Sequence, residues 1–364
     1  MKHRFLLWVL LLPFFAGCTA EQPQTDKVRN VIYMIGDGMG LSHVSMLQLE
    51  NNFEPTSFDR ADAIALQTTR SLNNRVTDSA AAGTALASGE KTDNSVLGQK
   101  PDGTPCISMM TKAAADGMQT GIVVTCTLQH ATPGAFYAHQ KYRRMPEEIT
   151  ADMLACDFDV LVGGGRRWLI DTCSEGGSYL DAFARKGYRV VSDMEQLAAI
   201  DSDRVLAVMA EEHLPHAAER GNYLPGAVGK TLDILAKRSS DRGFMLMVEG
   251  SQIDKAAHKN ELQWLIDEMR DFDRAVKVAM DFADRTPGTL VVITADHETG
   301  GLSILSREND FMKEESGIEH HFATHGHSGS MVPVYLYGAG ADRISGVMDN
   351  TDLAKRIMAL VGLD

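Results

Sequence analysis

Short apolar runs alternate along the chain with stretches that have the spacing of amphipathic helices. The apolar runs are rich in valine, isoleucine and leucine and cover residues 28–35, 121–126, 159–162, 244–248, 290–294 and 332–337. Helical patterns occur at residues 107–116, 262–284 and 353–361. Continuous apolar strands separated by helices are typical of a mostly parallel sheet that is covered by helices on both faces. We therefore predict an α/β fold with such a central sheet.

The stretch 262–284 gives the clearest helical pattern, and its apolar face predicts a helix packed on the core. The apolar positions recur every three or four residues, at Leu265, Met269, Phe272 and Val276. Residues 174–221 and 306–324 show no regular pattern, and we predict small irregular insertions there. No internal repeat or boundary divides the rest, so residues 28–364 are predicted to form one domain.

The N-terminal segment has the features of an export signal. Two basic residues precede an apolar run at 5–15, which is too short for a finished membrane-spanning helix. The residues before Cys18 resemble the lipobox of bacterial lipoproteins, in which the cysteine is lipidated and becomes the mature N-terminus. We predict a signal peptide over 1–17, a tether over 18–27 with lipidated Cys18, and an exported protein anchored to a membrane in the periplasm or at the cell surface. An ordinary secretory signal cut nearby is the alternative.

Composition limits the classes of partner. The chain has 364 residues, of which 44% are hydrophobic, and its formal net charge is −14. This length and apolar content suffice for one large core or two moderate ones. The negative charge excludes a general nucleic-acid binder or a protein that adheres to acidic membranes through its surface charge. An anionic small molecule could bind only where metal ions or arginines reverse the local field.

Four cysteines follow Cys18 in the sequence, at Cys106, Cys126, Cys156 and Cys173. In an exported protein this number suffices for two disulfides, and the sequence does not rank the three possible pairings. No Cys-x-x-Cys motif is present, so a thiolate metal site is not predicted.

Acidic residues follow the predicted strands, at the sheet edge where ligands bind in α/β folds. The first strand runs into Gly-Asp-Gly-Met-Gly at 36–40. Leu41 occupies the position of the third glycine in a dinucleotide-binding loop, so a nucleotide site is excluded. Asp37 remains as a candidate metal ligand between glycines that permit close approach. An Asx turn between strand and helix is the alternative for this residue.

A second group of candidate ligands follows the run 244–248. Glu249 comes directly after the run, and Asp254 and His258 follow with a spacing of four. On a helix this spacing places both side chains on one face, where oxygen and nitrogen could bind Zn²⁺. A surface ion pair is the alternative for Asp254 and His258, but it leaves Glu249 unexplained.

A third group follows the run 290–294. Asp296 and His297 lie where a sheet end covered by helices offers little water to an unpaired charge. Four histidines crowd into 320–327, just before the last strand. Histidine-rich tracts also occur as incidental surface metal binders, which is the alternative for this segment.

A candidate nucleophile lies at the start of an alanine-rich run. Thr77, Asp78 and Ser79 precede residues 80–85, a pattern that predicts the beginning of a helix. Such residues commonly cap helices. A hydroxyl at a helix N-terminus also lies where negative charge is favoured, which suits a nucleophile that will carry a phosphoryl group. These residues alone leave both interpretations open.

Taken in order, the motifs resemble those of the alkaline phosphatase family. The matching motifs lie at 36–40, 76–82, 248–258, 294–297 and 327–329. They are spread over most of residues 28 to 340, and five spaced motifs together are very specific. The resemblance implies an α/β enzyme that hydrolyses small phosphate monoesters at alkaline pH through a covalent phosphoserine. It also implies two zinc ions, one magnesium ion and, as is frequent in the family, a homodimer.

The resemblance further assigns a role to individual residues. Ser79 matches the nucleophile. Arg143, four residues after His139, matches the phosphate-binding arginine, with Asp78 holding it and Arg144 as the competing candidate. The metal ligands would be Asp254, His258 and His327 for one zinc, Asp37, Asp296 and His297 for the other, and Asp37, His130, Thr132 and Glu249 for magnesium.

One residue departs from the best-known bacterial form of the family. His130 stands where that form has an aspartate, whereas animal members and other bacterial ones have histidine there. A carboxylate lost from the third site lowers its negative charge. We therefore expect weaker Mg²⁺ binding and partial occupancy by Zn²⁺ at this site.

Two other functions compete with this interpretation. A phosphodiesterase of the same superfamily shares the two-metal core, but it usually has a threonine nucleophile and lacks equivalents of Arg143 and Glu249. A non-catalytic, metal-binding lipoprotein could use the histidines of 320–327. A sulfatase is excluded, because Ser79 is not followed by the x-Pro-x-Arg that sulfatases require.

Overall fold

The computed structural model describes residues 27–174, 176–308 and 317–363. The predicted signal peptide 1–17, Cys18 and the tether up to residue 26 lie outside these ranges. The strands, in chain order, are β1 Asn30–Gly36, β2 Ala63–Thr68, β3 Gln119–Thr127, β4 Val160–Gly164, β5 Arg189–Val191, β6 Val205–Val208, β7 Phe244–Gly250, β8 Thr289–Thr294, β9 Glu298–Thr299, β10 Leu302–Ser306, β11 Ile318–Phe322, β12 His327–Ser328, β13 Val332–Gly338 and β14 Gly346–Asp349.

The α-helices alternate with these strands. In chain order they are α1 Leu41–Glu50, α2 Ser79–Ser88, α3 Met109–Ala115, α4 Ala131–Gly134, α5 Pro146–Ala155, α6 Arg166–Leu169, α7 Tyr179–Arg185, α8 Met194–Ala199, α9 Ala217–Arg220, α10 Tyr223–Arg238, α11 Ile253–Lys259, α12 Leu262–Arg285 and α13 Asn350–Val361. Among the described residues, no helix has both the length and the apolar character needed to cross a membrane.

Ten strands form one central sheet in the order β14-β2-β13-β8-β1-β7-β3-β4-β6-β5. All neighbouring pairs are parallel except those made by β13, which runs antiparallel to β2 and β8. The prediction of a mostly parallel α/β sheet is therefore confirmed.

Side chains of the central strand β1 alternate between the two faces of the sheet. Val31, Tyr33 and Ile35 belong to one buried apolar cluster, and Ile32 and Met34 belong to the other. This alternation is the two-residue period of a strand that is buried on both faces. The helix predicted over 262–284 is α12, which contributes its apolar face to the second cluster.

The two segments predicted to be irregular were wrongly assigned. Residues 174–221 contain α7 to α9 and the strands β5 and β6, which extend the central sheet to its edge. The second segment contains β11, which pairs with β10, although residues 309–316 lie outside the described part. β5 and β6 have only three and four residues, and β11 is largely exposed. Such strands offer too few alternating apolar and polar positions to be recognised from the sequence.

The structure has free thiols at all four described cysteines, at Cys106, Cys126, Cys156 and Cys173. The two disulfides that their number allows do not form in this part of the chain. Cys106 and Cys173 are buried and pack as small apolar side chains.

Candidate active site

The candidate ligands meet at the carboxyl ends of three adjacent parallel strands. Ile35 of β1 pairs with Glu249 of β7 on one side and with Thr294 of β8 on the other. The loops that leave these strands therefore begin side by side. This register brings Asp37, Glu249 and Asp296 to one edge of the sheet, although Asp37 lies more than 200 residues before the other two in the sequence.

One cluster consists of Asp254 and His258 of α11 with His327 of β12. The Nε2 atoms of the two histidines lie 3.2 Å apart, and they lie 3.2 and 3.6 Å from Asp254 Oδ1. The Nδ1 atoms of His258 and His327 face the carbonyls of His325 and Thr77. A carbonyl only accepts, so each Nδ1 donates and each neutral ring presents a lone pair at Nε2. Three acceptor atoms thus converge on one point, where a cation fits.

A second cluster is fully buried and consists of Asp37, Asp296 and His297. His297 Nε2 lies 3.5 Å from Asp37 Oδ1 and 3.2 Å from Asp296 Oδ2. Both carboxylate oxygens of Asp37 and Oδ2 of Asp296 lack a hydrogen-bond partner. Buried carboxylates without partners are costly unless a cation compensates them, so these residues fit a metal ion.

A third cluster lies beside the second and contains Glu249, His130 and Cys126. One ligand atom from each of the three lies within 4.8 Å of the other two. Thr132, next to His130 at the start of α4, is fully buried and its hydroxyl has no partner. Glu249 Oε1 and His130 Nδ1 are also buried without a partner. These unsatisfied atoms fit a further cation.

Burial of several carboxylates in one place opposes their ionisation. Burial raises the pKa of Asp296 to about 6 and that of Glu249 to about 7. Burial raises the pKa of Asp37 well above its ordinary value, and the charges of Asp296, Asp254 and Glu249 raise it further. These shifts describe the protein without metal, in which negative charge has no counter-ion.

We expect the variant Glu249→Gln to stabilise the metal-free protein and to destabilise the metal-loaded protein. The folded-state pKa of Glu249 is raised, so the stability of the metal-free wild type falls as pH rises towards about 7. Glutamine carries no charge. The metal-free variant should therefore melt at least about 2 °C above the wild type at pH 8, with a smaller gap at pH 5. Thermal melting with and without chelator checks this, and an equal gap at both pH values would contradict it.

Ser79 is the first residue of α2, and its hydroxyl points into the second cluster. Ser79 Oγ lies 3.2 Å from His297 Nε2. The capping role belongs to Asp78, whose Oδ1 accepts a hydrogen bond of 3.1 Å from the N–H of Ala81. The serine hydroxyl is thereby left for chemistry. Gly83 lets α2 approach α4, because a Cβ at this position would lie 3.1 Å from that of Ala135.

Arg143 is half-buried and its side chain contacts Asp78, next to Ser79, whereas Arg144 is exposed. The guanidinium of Arg143 donates to Asp78 Oδ2 at 3.1 Å, and its other terminal nitrogen lies 3.5 Å from His130 Nε2. Its backbone N–H donates to the carbonyl of Ser95. Asp78 thus holds both the helix N-terminus and the guanidinium, and it places the guanidinium beside Ser79.

The clusters open into a pocket of about 610 Å³. Seven of the sequence-predicted residues line it, namely Asp78, Ser79, His130, Arg143, Asp254, His258 and His327. Asp37, Thr132, Glu249, Asp296 and His297 lie beneath, fully buried. All twelve predicted catalytic and metal-site residues therefore gather at one site.

Thr299 was not predicted from the sequence, and its side chain contacts residues of both the first and the second cluster. Its hydroxyl donates to Asp254 Oδ1 at 2.6 Å and lies 3.2 Å from His297 Nδ1. Since the hydroxyl proton goes to Asp254, the oxygen accepts from His297 Nδ1–H, which leaves the Nε2 lone pair facing the carboxylates. Gly38, with φ of +74°, makes room for this hydroxyl, because a Cβ would lie 2.8 Å from it. The only available signal was the position of Thr299 shortly after Asp296.

Comparisons with known proteins agree with this arrangement. The sequence model of the family described as alkaline phosphatase matches residues 28–316. Alkaline phosphatase 3 of Bacillus subtilis (strain 168) is 33% identical, over 91% of this chain and 88% of that protein. The structure of alkaline phosphatase from the Antarctic bacterium TAB5 superposes with a TM-score of 0.86 at 33% identity, covering 93% of this chain and 99% of that one.

A variant of the TAB5 enzyme, in which a histidine is replaced by aspartate, is described as holding magnesium in its M3 site. It superposes on this chain with a TM-score of 0.84 at 32% identity and covers 93% of this chain and 99% of that one. The family match spans most of the chain, and the fold agrees over nearly the whole of the solved relative. This chain belongs to the alkaline phosphatase family and is a phosphatase enzyme that hydrolyses phosphate monoesters.

Proposed function

We propose that the protein hydrolyses small phosphate monoesters at alkaline pH through a covalent phosphoserine on Ser79, with two zinc ions and one magnesium ion. The observation that carries the proposal is the position of Ser79 Oγ, which lies 3.2 Å from His297 Nε2. The same hydroxyl lies at a helix N-terminus whose cap, Asp78, also holds Arg143. The Ser79 hydroxyl, the anion-binding N-terminus of α2 and the guanidinium of Arg143 therefore lie side by side.

The candidate ligands form three metal sites in this proposal. Asp254, His258 and His327 would hold one zinc ion, and Asp37, Asp296 and His297 would hold the other. Glu249, Thr132 and His130, with Asp37, would hold the magnesium ion, and the absence of a carboxylate at His130 favours weaker Mg²⁺ binding and partial Zn²⁺ occupancy. When bound, the zinc ions supply positive charge beside the attacking and leaving oxygens of an in-line displacement.

The protein's own groups then act in sequence. Arg143 and the first N–H groups of α2 bind the phosphoryl oxygens and orient the phosphorus towards Ser79. Ser79 Oγ gives its proton to solvent and attacks, a bond forms between Oγ and phosphorus, and the ester P–O bond breaks. The departing alkoxide takes a proton from water and leaves as the alcohol. Water then cleaves the phosphoserine, releases phosphate and regenerates the hydroxyl. Asp78 keeps the guanidinium in place through both steps.

Comparison of a monoester with a diester tests the proposed substrate class. We expect an aryl monophosphate to be hydrolysed much faster than the bis-aryl phosphate diester. Arg143 favours this preference, because its guanidinium binds two unesterified phosphate oxygens and a diester offers fewer of them. A preference for the diester would favour the competing phosphodiesterase, and no hydrolysis of either ester by the metal-loaded protein would contradict the proposed function.

We expect Arg143→Ala to lower kcat/KM for an aryl monophosphate by about 10²–10³-fold. Arg143→Lys should not restore activity, because lysine cannot donate two parallel hydrogen bonds to phosphate. Arg144→Ala is the matched control, since Arg144 lines the same pocket but is exposed, and it should change kcat/KM by less than about threefold. Steady-state kinetics of the three variants measures this. A larger loss for Arg144→Ala than for Arg143→Ala would exchange the roles of the two arginines.

We propose further that residues 28–364 form one catalytic domain that is exported and anchored through a lipid on Cys18, and that it forms a homodimer as family members often do. The support for the anchor is the lipobox-like sequence before Cys18. We expect Cys18→Ala to move the enzyme from the membrane fraction to the soluble fraction, because the acyl chains are then absent. Both forms are expressed in a bacterium that processes lipoproteins, and the amount of enzyme in the membrane and soluble fractions is compared. Unchanged membrane association of Cys18→Ala would contradict the anchor.

A further inference from the structure

Cys126 lies at the third cluster because of the register between two strands. Val124 of β3 pairs with Glu249 of β7, and Cys126 follows two residues later on the same face of β3. Its Sγ lies 3.3 Å from Glu249 Oε2, and both side chains are fully buried. The thiol therefore faces the carboxylate that we assign to the third metal.

Unpartnered ligand atoms surround the thiol. Glu249 Oε1 and the hydroxyl of Thr132 have no hydrogen-bond partner, and both residues are fully buried. His130 Nδ1 is also buried without a partner. Ligand atoms of Cys126, His130 and Glu249 lie within 4.8 Å of one another, a spacing that one ion can bridge after small adjustments. A sulfur, a nitrogen and a carboxylate oxygen thus lie close enough to share one ion, and the unpartnered hydroxyl of Thr132 is a further candidate ligand.

We propose that Cys126 is a ligand of the third metal site and that its sulfur makes this site prefer Zn²⁺ to Mg²⁺. This inference rests on the proposed function, which assigns a cation to the site. Mg²⁺ requires oxygen ligands in octahedral geometry, whereas a thiolate, an imidazole and a carboxylate are the ligands of tetrahedral zinc. Formation of the metal–sulfur bond releases the thiol proton to solvent.

A positioning role is the competing explanation for Cys126. The thiol would then only donate a hydrogen bond to Glu249 Oε2 and orient the carboxylate. Cys126→Ser separates the two roles, because serine keeps a donor of similar size and removes the sulfur. A positioning role is rescued by serine, and a ligand role is not.

The absorption spectrum of the Co²⁺-substituted protein reports a metal–sulfur bond directly, and its measurement does not require enzymatic activity. We expect Co²⁺-loaded wild-type protein to show a sulfur-to-metal charge-transfer absorption in the near ultraviolet, and Cys126→Ser to lack it. Cys106→Ser is the matched control, since Cys106 is a buried cysteine outside the site, and it should keep the absorption. Cys126→Ala is the second variant in case serine disturbs folding, and it should lose the band as well.

Competition dialysis against Zn²⁺ and Mg²⁺, followed by elemental analysis, measures the preference. We expect more than two zinc ions per chain in the wild type, the excess being bound at the third site, and a third-site preference for zinc over magnesium that falls at least about tenfold in Cys126→Ser. An absent band in the wild type, a band that persists in Cys126→Ser, or an unchanged third zinc in that variant would overturn the proposal. A failure of the proposed function would appear separately, as absent hydrolysis in protein that still shows the cysteine-dependent band.

Discussion

Replacing Ser79 by alanine is expected to lower kcat for an aryl monophosphate by at least about 10³-fold. Alanine keeps the helix, because Asp78 rather than Ser79 provides the cap. It removes the oxygen that lies 3.2 Å from His297 Nε2, so no covalent phosphoryl group can form. The metal-binding residues are untouched, and the variant should bind zinc as the wild type does. Steady-state kinetics and elemental analysis on the same preparation measure both results.

Ser88→Ala is the matched control for this experiment. Ser88 is the last residue of the same helix, and its hydroxyl donates to the carbonyl of Thr84 inside the helix. Its loss should change kcat by less than about threefold, since it lies at the helix end opposite the nucleophile. Activity of Ser79→Ala within tenfold of the wild type would contradict the nucleophilic role.

Removal of the metals is expected to abolish turnover and to lower the melting temperature. Ligand atoms of Asp37, Asp296 and Glu249 are buried without hydrogen-bond partners, and bound cations offset this cost in the folded state only. A ligand present at a hundred times its Kd stabilises by about 2.7 kcal/mol, which corresponds to a rise in melting temperature of about 4 °C for a chain of this size. We therefore expect chelator to lower activity by at least about 10³-fold and to shift melting by that amount.

Restoration of the metals completes this test. Zinc with magnesium should restore both activity and melting temperature, whereas magnesium alone should restore neither, because the histidine-containing clusters are suited to zinc. Calorimetry and kinetics on one dialysed preparation measure the two quantities. Full activity in chelator-treated protein whose metal content is zero would contradict a metal-dependent site.

The sequence predicts the site well because the chemistry lies at strand ends. Asp37, Glu249 and Asp296 each follow a long apolar run, and the carboxyl ends of parallel strands meet at one edge. The order of the strands cannot be read from these runs. Pairing of β1 with both β7 and β8 is a long-range choice that depends on packing of the whole sheet.

Features without a periodic or motif signal were not predictable. β5 and β6, at three and four residues, are too short to show alternation, and their place at the sheet edge follows from tertiary pairing. Thr299 and Cys126 carry no motif of their own. Their roles arise from contacts, since the hydroxyl of Thr299 orients the imidazole of His297 and the thiol of Cys126 faces Glu249 on the neighbouring strand.

The covalent phosphoserine on Ser79 is tested most directly by mass spectrometry of peptides from enzyme that is quenched during turnover. The enzyme is mixed with an aryl monophosphate, quenched in acid and digested. We expect a peptide that contains Ser79 and is heavier by one phosphoryl group in the wild type and in Ser88→Ala, and we expect this peptide to be absent in Ser79→Ala. A phosphoryl group on another residue, or rapid turnover by Ser79→Ala, would contradict the phosphoserine on Ser79.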